Sequence, residues 1–598
     1  MWRKGLIMMA AIFICPLVDA QESDELEAIL EFTGYASADE VDAAEIERLE
    51  NLMAHPVKIN QANQARMNEC GLFTHYQTVS LLDYRTRHGD VLSYTELSAI
   101  EGFGLEFVRK LKPFISLESR RPAGQRPDTL MTFTHELDLK TGVTAGAYTK
   151  GTYALRYKMD AGELLQMSFA LSKSSESSGP DAFKANLIWS LSRSPTRILL
   201  GSFNARFGQG LALSSGMSIS GVNRPSSFLK RGSSLSVSNS FTGNYAFKGA
   251  AVETMIGRFR ITAMSAVTGT KEHRNLLPAV NLCWLGPSGQ IGMTHYADMT
   301  TSEGLLMIPD MKSSFDMSFT VSGTDFFGEI TYDWASSVIA SLAGTVFPVG
   351  ESVRMASMLR YFPSTFNPTY SAAARSLTKC VNEYGASLAA EFSAGRWIDI
   401  NGADGFGSSV RCLDGSFCLD AAFLPEPKDE NNIYSAQLKA LAELKWMISG
   451  SLALKVRVSE RLRTWGLPYR TDCRLDMLYY SRNIDAYFRI NAVKSDSYGI
   501  LSYAEGQFKA RTFKICLRLG AFCIDDWDDR IYAYERDVPG SYNVPAFYGR
   551  GFWTALTGSL RLARWGRVYL RTAFTGYPFV EKKKPGKAEL KLMLKIKL

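Results

Sequence analysis

The chain has 598 residues and a formal net charge of +7 at pH 7; 46% of its residues are hydrophobic, 12% aromatic and 21% charged. A length this far beyond one ordinary domain of roughly 150 residues, with a modest charged fraction and abundant aromatic residues and glycine, suits many amphipathic strands closed into a barrel. Beyond residue 20 no stretch approaches the roughly 18 to 20 consecutive apolar residues of a membrane helix, which excludes helical spanning there.

The first twenty residues follow the order of a secretory signal peptide. Arg3 and Lys4 precede an apolar run, and Val18-Asp19-Ala20 supplies small residues before Gln21, so we expect residues 1–20 to be removed on export. Cys15 offers an alternative lipid-attachment site, but the bulky Ile14 before it disfavours a lipoprotein signal. The chain is therefore predicted to be exported.

Residues 21–53 are predicted to form an acidic helical arm. Leu26, Ile29 and Leu30 recur at helical spacing, and eleven acidic residues face one base, Arg48. The far end of the helical region is basic instead, through Arg109, Lys110, Lys112, Arg120, Arg121 and Arg126.

The most specific motif runs from Leu97 to Leu111 and contains the hairpin Gly102-Phe103-Gly104. Val108 and Leu111 are predicted to lie on the buried face of the second helix. The two glycines permit positive φ and leave backbone N–H groups uncovered at a helix N-terminus, where a phosphate can bind. Arg109 and Lys110 follow closely and add positive charge. Gly102, Phe103, Gly104, Arg109 and Lys110 are therefore the candidate nucleic-acid-binding residues, although Glu101 and Glu106 beside them oppose phosphate.

This motif resembles a helix-hairpin-helix, and a degraded copy precedes it. Ile59-Asn60-Gln61-Ala62 is similar to the opening of such repeats, while Phe73 replaces the second hairpin glycine. Residues 54–119 thus resemble the tandem helix-hairpin-helix domains of the competence DNA-receptor type. The resemblance implies either DNA contact or a purely structural or protein-interaction module.

A linker and then a barrel are predicted after this domain. Residues 120–128 contain two prolines, a glycine and no apolar pattern, which indicates a linker. From residue 129 the hydrophobic period becomes two, as in Tyr153 to Met159 and Leu165 to Leu171, and the last strand, Leu590 to Leu598, alternates leucines with lysines. At roughly 25 to 30 residues per strand and loop, residues 129–598 predict a transmembrane antiparallel barrel of about 16 to 18 strands. A soluble array of β-sandwiches is the alternative.

Segments of this barrel are similar to the uncharacterised Bacteroidetes outer-membrane proteins that pair a helix-hairpin-helix domain with a barrel. The similar segments are residues 201–211, 530–535 and 544–551. The overall expectation is an α+β multidomain protein with a small all-α domain in the periplasm. Its expected partners are outer-membrane lipid, the assembly machinery during biogenesis, and DNA or periplasmic and envelope proteins.

The sequence indicates neither an enzyme nor a cofactor site. It has no GxSxG elbow and no histidines at metal-binding spacing, and the acids around Trp527 are better explained as a solvated loop than as a calcium site. Cys412 and Cys418 flank a turn-like stretch, which leaves a hairpin disulfide open. Two functions remain: a barrel that binds DNA or aids its uptake, and a non-enzymatic scaffold or porin-like protein whose helical domain is a docking module or plug.

Overall fold

The computed structural model describes residues 25–33, 43–54, 56–119 and 133–598, with gaps in the last range at 147, 162–163, 175–176, 178, 181, 192–194, 216–222, 231–233, 240, 242–245, 270–273, 303–304, 351, 395–411, 430–432, 450, 482, 542 and 579–584. The predicted signal peptide and the linker at 120–128 lie outside the described residues.

A small helical domain comes first. Its helices are α1 (Glu25–Thr33), α2 (Ala43–Ala54), α3 (Gln64–Cys70), α4 (His75–His88), α5 (Tyr94–Ala99) and α6 (Gly104–Leu111). Two short strands, β1 (Val57–Lys58) and β2 (Ile115–Ser116), pair in parallel and bring the two ends of the α3 to α6 segment together. No helix among the described residues has both the length and the apolarity needed to cross a membrane.

One apolar core holds all six helices. Ile29 of α1 and Leu49 of α2 are buried in the same cluster as Leu81, Val108 and Leu111. The acid-rich segment therefore packs on the later helices through its apolar face. Val108 and Leu111 are fully buried, as the helical spacing predicted.

Asn60, which precedes α3, is bonded to the loop between α4 and α5 and to the segment after α6. Its side-chain amide donates to the carbonyls of Val91 (2.9 Å) and Leu117 (3.0 Å), and its side-chain oxygen accepts from the amide of Val91 (2.9 Å). Through these three hydrogen bonds the buried asparagine satisfies backbone groups of Val91 and Leu117. This explains the Asn60 of the motif as a structural residue.

The rest of the chain forms a closed antiparallel barrel. The strands are β3 (Thr134–Ala145), β4 (Thr149–Ala161), β5 (Leu165–Lys173), β6 (Ala182–Ser190), β7 (Thr196–Ala205), β8 (Leu235–Val237), β9 (Phe247–Ile256), β10 (Phe259–Gly269), β11 (Arg274–Leu285), β12 (Gly289–Ser302), β13 (Leu305–Val321), β14 (Thr324–Asp333), β15 (Val338–Val349), β16 (Val353–Phe362), β17 (Glu383–Ala394), β18 (Cys412–Leu424), β19 (Ser435–Met447), β20 (Leu452–Arg463), β21 (Tyr469–Tyr480), β22 (Ile484–Lys494), β23 (Tyr498–Lys509), β24 (Phe513–Ile524), β25 (Ile531–Tyr532), β26 (Ala546–Phe547), β27 (Gly549–Ala563), β28 (Gly566–Gly576) and β29 (Lys587–Lys597).

Within the described residues, 24 strands make the wall, namely β3–β7, β9–β24 and β27–β29, and β29 closes on β3. The predicted count of 16 to 18 was wrong. It assumed too many residues per strand: residues 305–362 alone hold four strands, because most connections are tight turns.

The strands alternate between an apolar outer face and a polar inner face. In β21, Leu475 is 38% exposed on the outside, whereas its neighbour Asp476 is 1% exposed on the inside. In β29, Lys595 reaches inward to Glu136 at 2.8 Å, as the predicted lysine alternation required. Exposed aromatic residues lie near both rims, a pattern typical of barrels in a bilayer; they are Trp189, Trp446, Tyr479 and Trp565 at one rim and Trp334, Tyr361, Tyr384 and Tyr434 at the other.

The open question of a hairpin disulfide between Cys412 and Cys418 is answered by β18. Both cysteines lie on this one continuous strand, and Cys418 is buried. Six residues of strand separate them by roughly 20 Å. A disulfide needs Cα atoms within roughly 7 Å, so this pair cannot form one.

We expect Leu475→Arg to destabilise the barrel in lipid by about 2–4 kcal/mol, because an outward guanidinium at mid-strand would enter the hydrocarbon layer. The measurement is the free energy of unfolding in urea in lipid vesicles, with heat-dependent gel mobility as the readout of the folded barrel. Leu475→Met is the matched control and should cost less than about 1.5 kcal/mol. Equal stabilities of the two variants would mean that this face meets water.

Candidate functional site: the chamber between the helical domain and the barrel

The predicted hairpin joins α5 to α6. Gly102 and Gly104 have φ values of +84° and +62°, a region that favours glycine, as the sequence predicted. Phe103 between them is buried, with its ring centroid 6.0 Å from those of both Phe73 and Phe107. The hairpin is therefore anchored through Phe103 and turns its backbone outward.

The two glycines have different surroundings. A Cβ on Gly102 would lie 2.9 Å from Cδ1 of Tyr76, and the carbonyl of Gly102 accepts from the side-chain amide of Gln77 at 2.7 Å. A Cβ on Gly104 would meet no atom within 4 Å. Gly102 is thus a packing contact with α4, and Gly104 is the open position of the hairpin.

Both candidate cations of the motif are in ion pairs. Arg109 contacts Glu31 of α1 at 2.7 Å, and Lys110 contacts Glu391 of the barrel strand β17 at 3.5 Å. Burial alone would raise the pKa of Glu31, but nearby cations, Arg109 above all, hold it well below its usual range. In this arrangement carboxylates occupy the positions that a phosphate would take.

Among the described residues, polar contacts attach the helical domain to the barrel. Besides the pair of Lys110 with Glu391, His75 Nε2 lies 2.8 Å from the carbonyl of Gly286, in the turn between β11 and β12. Glu45 of α2 accepts from Arg206, just beyond β7, at 3.3 Å. Burial lowers the pKa of His75, so its ring is neutral and Nε2 donates to that carbonyl. The sequence carried no signal for these contacts beyond the excess of acids in residues 21–53.

The contacts of His75 and Lys110 lie at one end of the barrel, whereas Arg206 belongs to the connection 206–246, which folds in from the opposite end. The turns nearest the hairpin contain Gly323 and Gly350, and both belong to the end at which β3 begins and β29 finishes. The helical domain therefore covers the end of the barrel that carries the chain terminus Leu598.

A chamber of about 650 Å³ lies between the hairpin and the barrel wall. Its charged wall groups are largely compensated: Asp476 pairs with Arg474 (2.7 Å) and Arg489 (2.6 Å), and Glu505 pairs with Arg536 (2.7 Å) and also with Arg518. Paired charges of this kind stabilise the wall and leave few free donors for a ligand.

Connections from the opposite end also fold into the lumen. The backbone amides of Leu211 and Ala212 donate to Glu329 of β14 at 3.0 and 2.9 Å, and Tyr370 donates to Asp298 of β12 at 2.7 Å. The described parts of residues 206–246, 363–382 and 525–548 pack in this way. The lumen is thus occupied from both ends.

The acidic loop around Trp527 has protein partners. Asp525 pairs with Arg550 at 2.8 Å, and Asp529 accepts from the amide of Ser497 at 3.1 Å. Across the described ranges, no group of three or more His, Cys, Asp or Glu residues is arranged to hold a metal ion.

No protein-family model matches the chain, and no curated protein matches it. Solved structures that match include the E. coli P pilus tip assembly intermediate PapC-PapD-PapK-PapG, at 10% identity and a TM-score of 0.48, with 80% of this chain and 63% of that chain covered. The siderophore receptor PirA from Pseudomonas aeruginosa matches at 7% identity and a TM-score of 0.40, with 80% and 82% covered. A BenF-like porin from Pseudomonas fluorescens matches at 7% identity and a TM-score of 0.28, with 78% and 98% covered. At these identities and scores the matches carry no conclusion about function.

Acid should loosen α2. Burial would raise the pKa of Glu45, but Arg48 and Arg206 lower it to about 2. A lowered carboxyl pKa contributes stability that is present above the usual value of 4.5 and is lost as the pH falls towards about 2. We therefore expect amide hydrogen exchange in α2, corrected for its intrinsic pH dependence, to rise across that window.

The control variant is Glu45→Gln, which cannot titrate. It should show the faster exchange of α2 already near neutral pH and a shallower change on acidification. Identical pH profiles for the two proteins would show that the Glu45 ion pairs do not anchor α2.

Proposed function

We propose that this protein is a porin-like outer-membrane barrel whose helical domain plugs the periplasmic end of the lumen. The observation that carries the proposal is the set of contacts made by Lys110, Glu45 and His75, which attach the helical domain to the barrel. The apolar outer face with aromatic residues near both rims supports a place in the bilayer.

The lengths of the connections favour one orientation of the barrel in the membrane. At the helical-domain end, β9–β10, β13–β14 and β27–β28 are joined by two residues each. The opposite end carries the long connections 206–246, 363–382 and 525–548. The helical-domain end also carries one long connection, 395–411. Short turns on the periplasmic side and long loops on the outer side are the rule for such barrels, so the three long connections at the opposite end favour a periplasmic helical domain.

Reversing one charge should release the plug. Lys110→Glu sets two carboxylates against each other, and its cost lies between the roughly 1 kcal/mol of an exposed pair and the roughly 3–5 kcal/mol that follows loss of one partner of a buried pair. We expect the helical fragment, cut from the barrel by trypsin within residues 120–128, to stay with the wild-type barrel on gel filtration and to dissociate from the variant.

The matched control is the charge swap. Lys110→Glu combined with Glu391→Lys restores the attraction and should restore retention of the fragment. Release of the fragment from the wild-type barrel without denaturant would contradict the plug proposal. It would favour the alternative, a tethered domain that docks an envelope protein.

Nucleic-acid binding through a helix-hairpin-helix is the second candidate. The open position of Gly104, at the N-terminus of α6, favours it, because Gly104 is exposed and a Cβ there would meet no atom within 4 Å. The ion pairs of Arg109 and Lys110 oppose it. On this proposal, DNA binds only when Glu31 and Glu391 move away from the two cations. The binding residues are then Gly102, Phe103, Gly104, Arg109 and Lys110.

We therefore expect the full-length wild type to bind duplex DNA weakly and the double variant Glu31→Gln with Glu391→Gln to bind it in a salt-dependent way. Adding Gly104→Val should abolish binding, since a β-branched residue at φ +62° is strained and covers the nest. Adding Arg109→Ala and Lys110→Ala should instead reduce the salt slope by about two phosphate contacts. Absence of binding by the double variant at low salt would leave the hairpin a packing element.

A further inference from the structure

Four arginines form a cluster on the inner face of the barrel, at the mouth opposite the helical domain. Arg461 and Arg463 are the last inward-facing residues of β20, and Arg470 stands at the start of β21, directly across from Arg461. Arg530 comes from the connection between β24 and β25, and its backbone carbonyl accepts from Arg470 at 2.9 Å. Side chains alternate between the two faces of a strand. Because Leu462 and Tyr469 are exposed on the outside, their neighbours Arg461, Arg463 and Arg470 face the lumen.

The partners of these guanidinium groups are almost all neutral. Arg463 donates to the side-chain oxygen of Gln437 (2.6 Å), Arg470 to the carbonyl of Asp528 (2.5 Å), and Arg530 to the hydroxyl of Tyr532 (2.9 Å) and the carbonyl of Trp527 (3.0 Å). Nε of Arg461 is buried without a hydrogen-bond partner. Among the described residues, one carboxylate forms an ion pair with any of the four: Asp528, which is half exposed and lies 3.8 Å from Arg530.

Several other buried arginines of the lumen contact carboxylates. Arg156 contacts Asp138 at 2.7 Å, Arg360 contacts both Glu383 (2.9 Å) and Asp420 (2.7 Å), and Arg571 contacts Glu589 at 2.6 Å. Arg461 and Arg470 lie directly opposite each other on neighbouring strands. Like charges in this arrangement destabilise a sheet. The cluster therefore stands out because, among the described residues, one half-exposed carboxylate, Asp528, forms an ion pair with its four positive charges.

We propose that this cluster binds a soluble oxyanion, a carboxylate or phosphate solute, at the outer mouth of the lumen. Guanidinium forks match both groups through paired N–H donors, and several forks within one site favour a ligand with more than one oxyanion group. The indole rings of Trp465 and Trp527, which lie under Arg463 and Arg530 at 5.3 and 4.7 Å, hold those guanidinium planes in place.

A lipid headgroup is disfavoured as the source of the oxyanion. The arginines face the lumen, whereas lipid meets the opposite face of the same strands, at Val458 and Leu462. The site is also remote from the helical domain, so the inference stands whether or not that domain is a plug.

The test is isothermal titration of the detergent-solubilised full chain with citrate and with inorganic phosphate at low ionic strength. We expect citrate to bind more tightly than phosphate, since it offers three carboxylates, and both affinities to fall as salt is added. Arg461→Gln with Arg470→Gln should weaken binding by roughly tenfold or more, because it removes two charged forks. Arg461→Lys with Arg470→Lys keeps the charge but loses the guanidinium fork, and its affinity should lie between those of the wild type and the glutamine variant.

The matched control removes the same charge at the other mouth. Arg258→Gln with Arg564→Gln changes two exposed turn arginines, and should bind both anions like the wild type. Heat-dependent gel mobility verifies that every variant is a folded barrel. The proposal is overturned if the wild type binds neither anion at low salt, or if the Arg461 and Arg470 glutamine variant binds them as tightly as the Arg258 and Arg564 control.

Discussion

The structure depends on the closure of one hydrogen-bonded ladder. The last strand, β29, pairs with the first strand of the wall, β3, and the ladder ends in reciprocal backbone bonds between His135 and Leu598 at 2.9 and 2.8 Å. Closure leaves no strand edge to be satisfied by lipid, and this is the condition for β-structure in a bilayer. Once the ladder is closed, every second side chain must point into a space shielded from lipid, so polar and charged groups collect there.

That inner space explains why most of the buried charges named above are paired. Desolvating an ion is costly unless an opposite charge and further hydrogen bonds compensate for it, as Arg360 shows with Glu383 and Asp420. The acid-rich segment of the helical domain obeys the same requirement. Its Glu31 and Glu45 are placed against Arg109 and Arg206, so these two acids contribute to the assembly of the hairpin and the lumen.

Local periodicity predicted much of the fold but not its dimensions. The alternation in β29 and the helical spacing of Val108 and Leu111 identified barrel strand and helix face correctly, because each pattern depends on which side of one element is buried. The strand count failed because it depends on turn lengths summed around the wall. At the candidate site, the positive φ values of Gly102 and Gly104 could be predicted from the sequence, since glycine is the residue that favours this region. The partners Glu391 and Gly286 lie far away in sequence, and no local pattern contains them.

The same distinction bears on the choice between plug and nucleic-acid interface. A phosphate at the Gly104 hairpin and the carboxylates of Glu31 and Glu391 would use the same two cations, Arg109 and Lys110. The carboxylates are held within the chain, so they compete at an effective concentration that a dilute ligand does not reach. Docking against the barrel and binding of a polyanion are therefore mutually exclusive states of one hairpin. Any anion that binds the hairpin must also supply the free energy needed to detach the domain from the barrel.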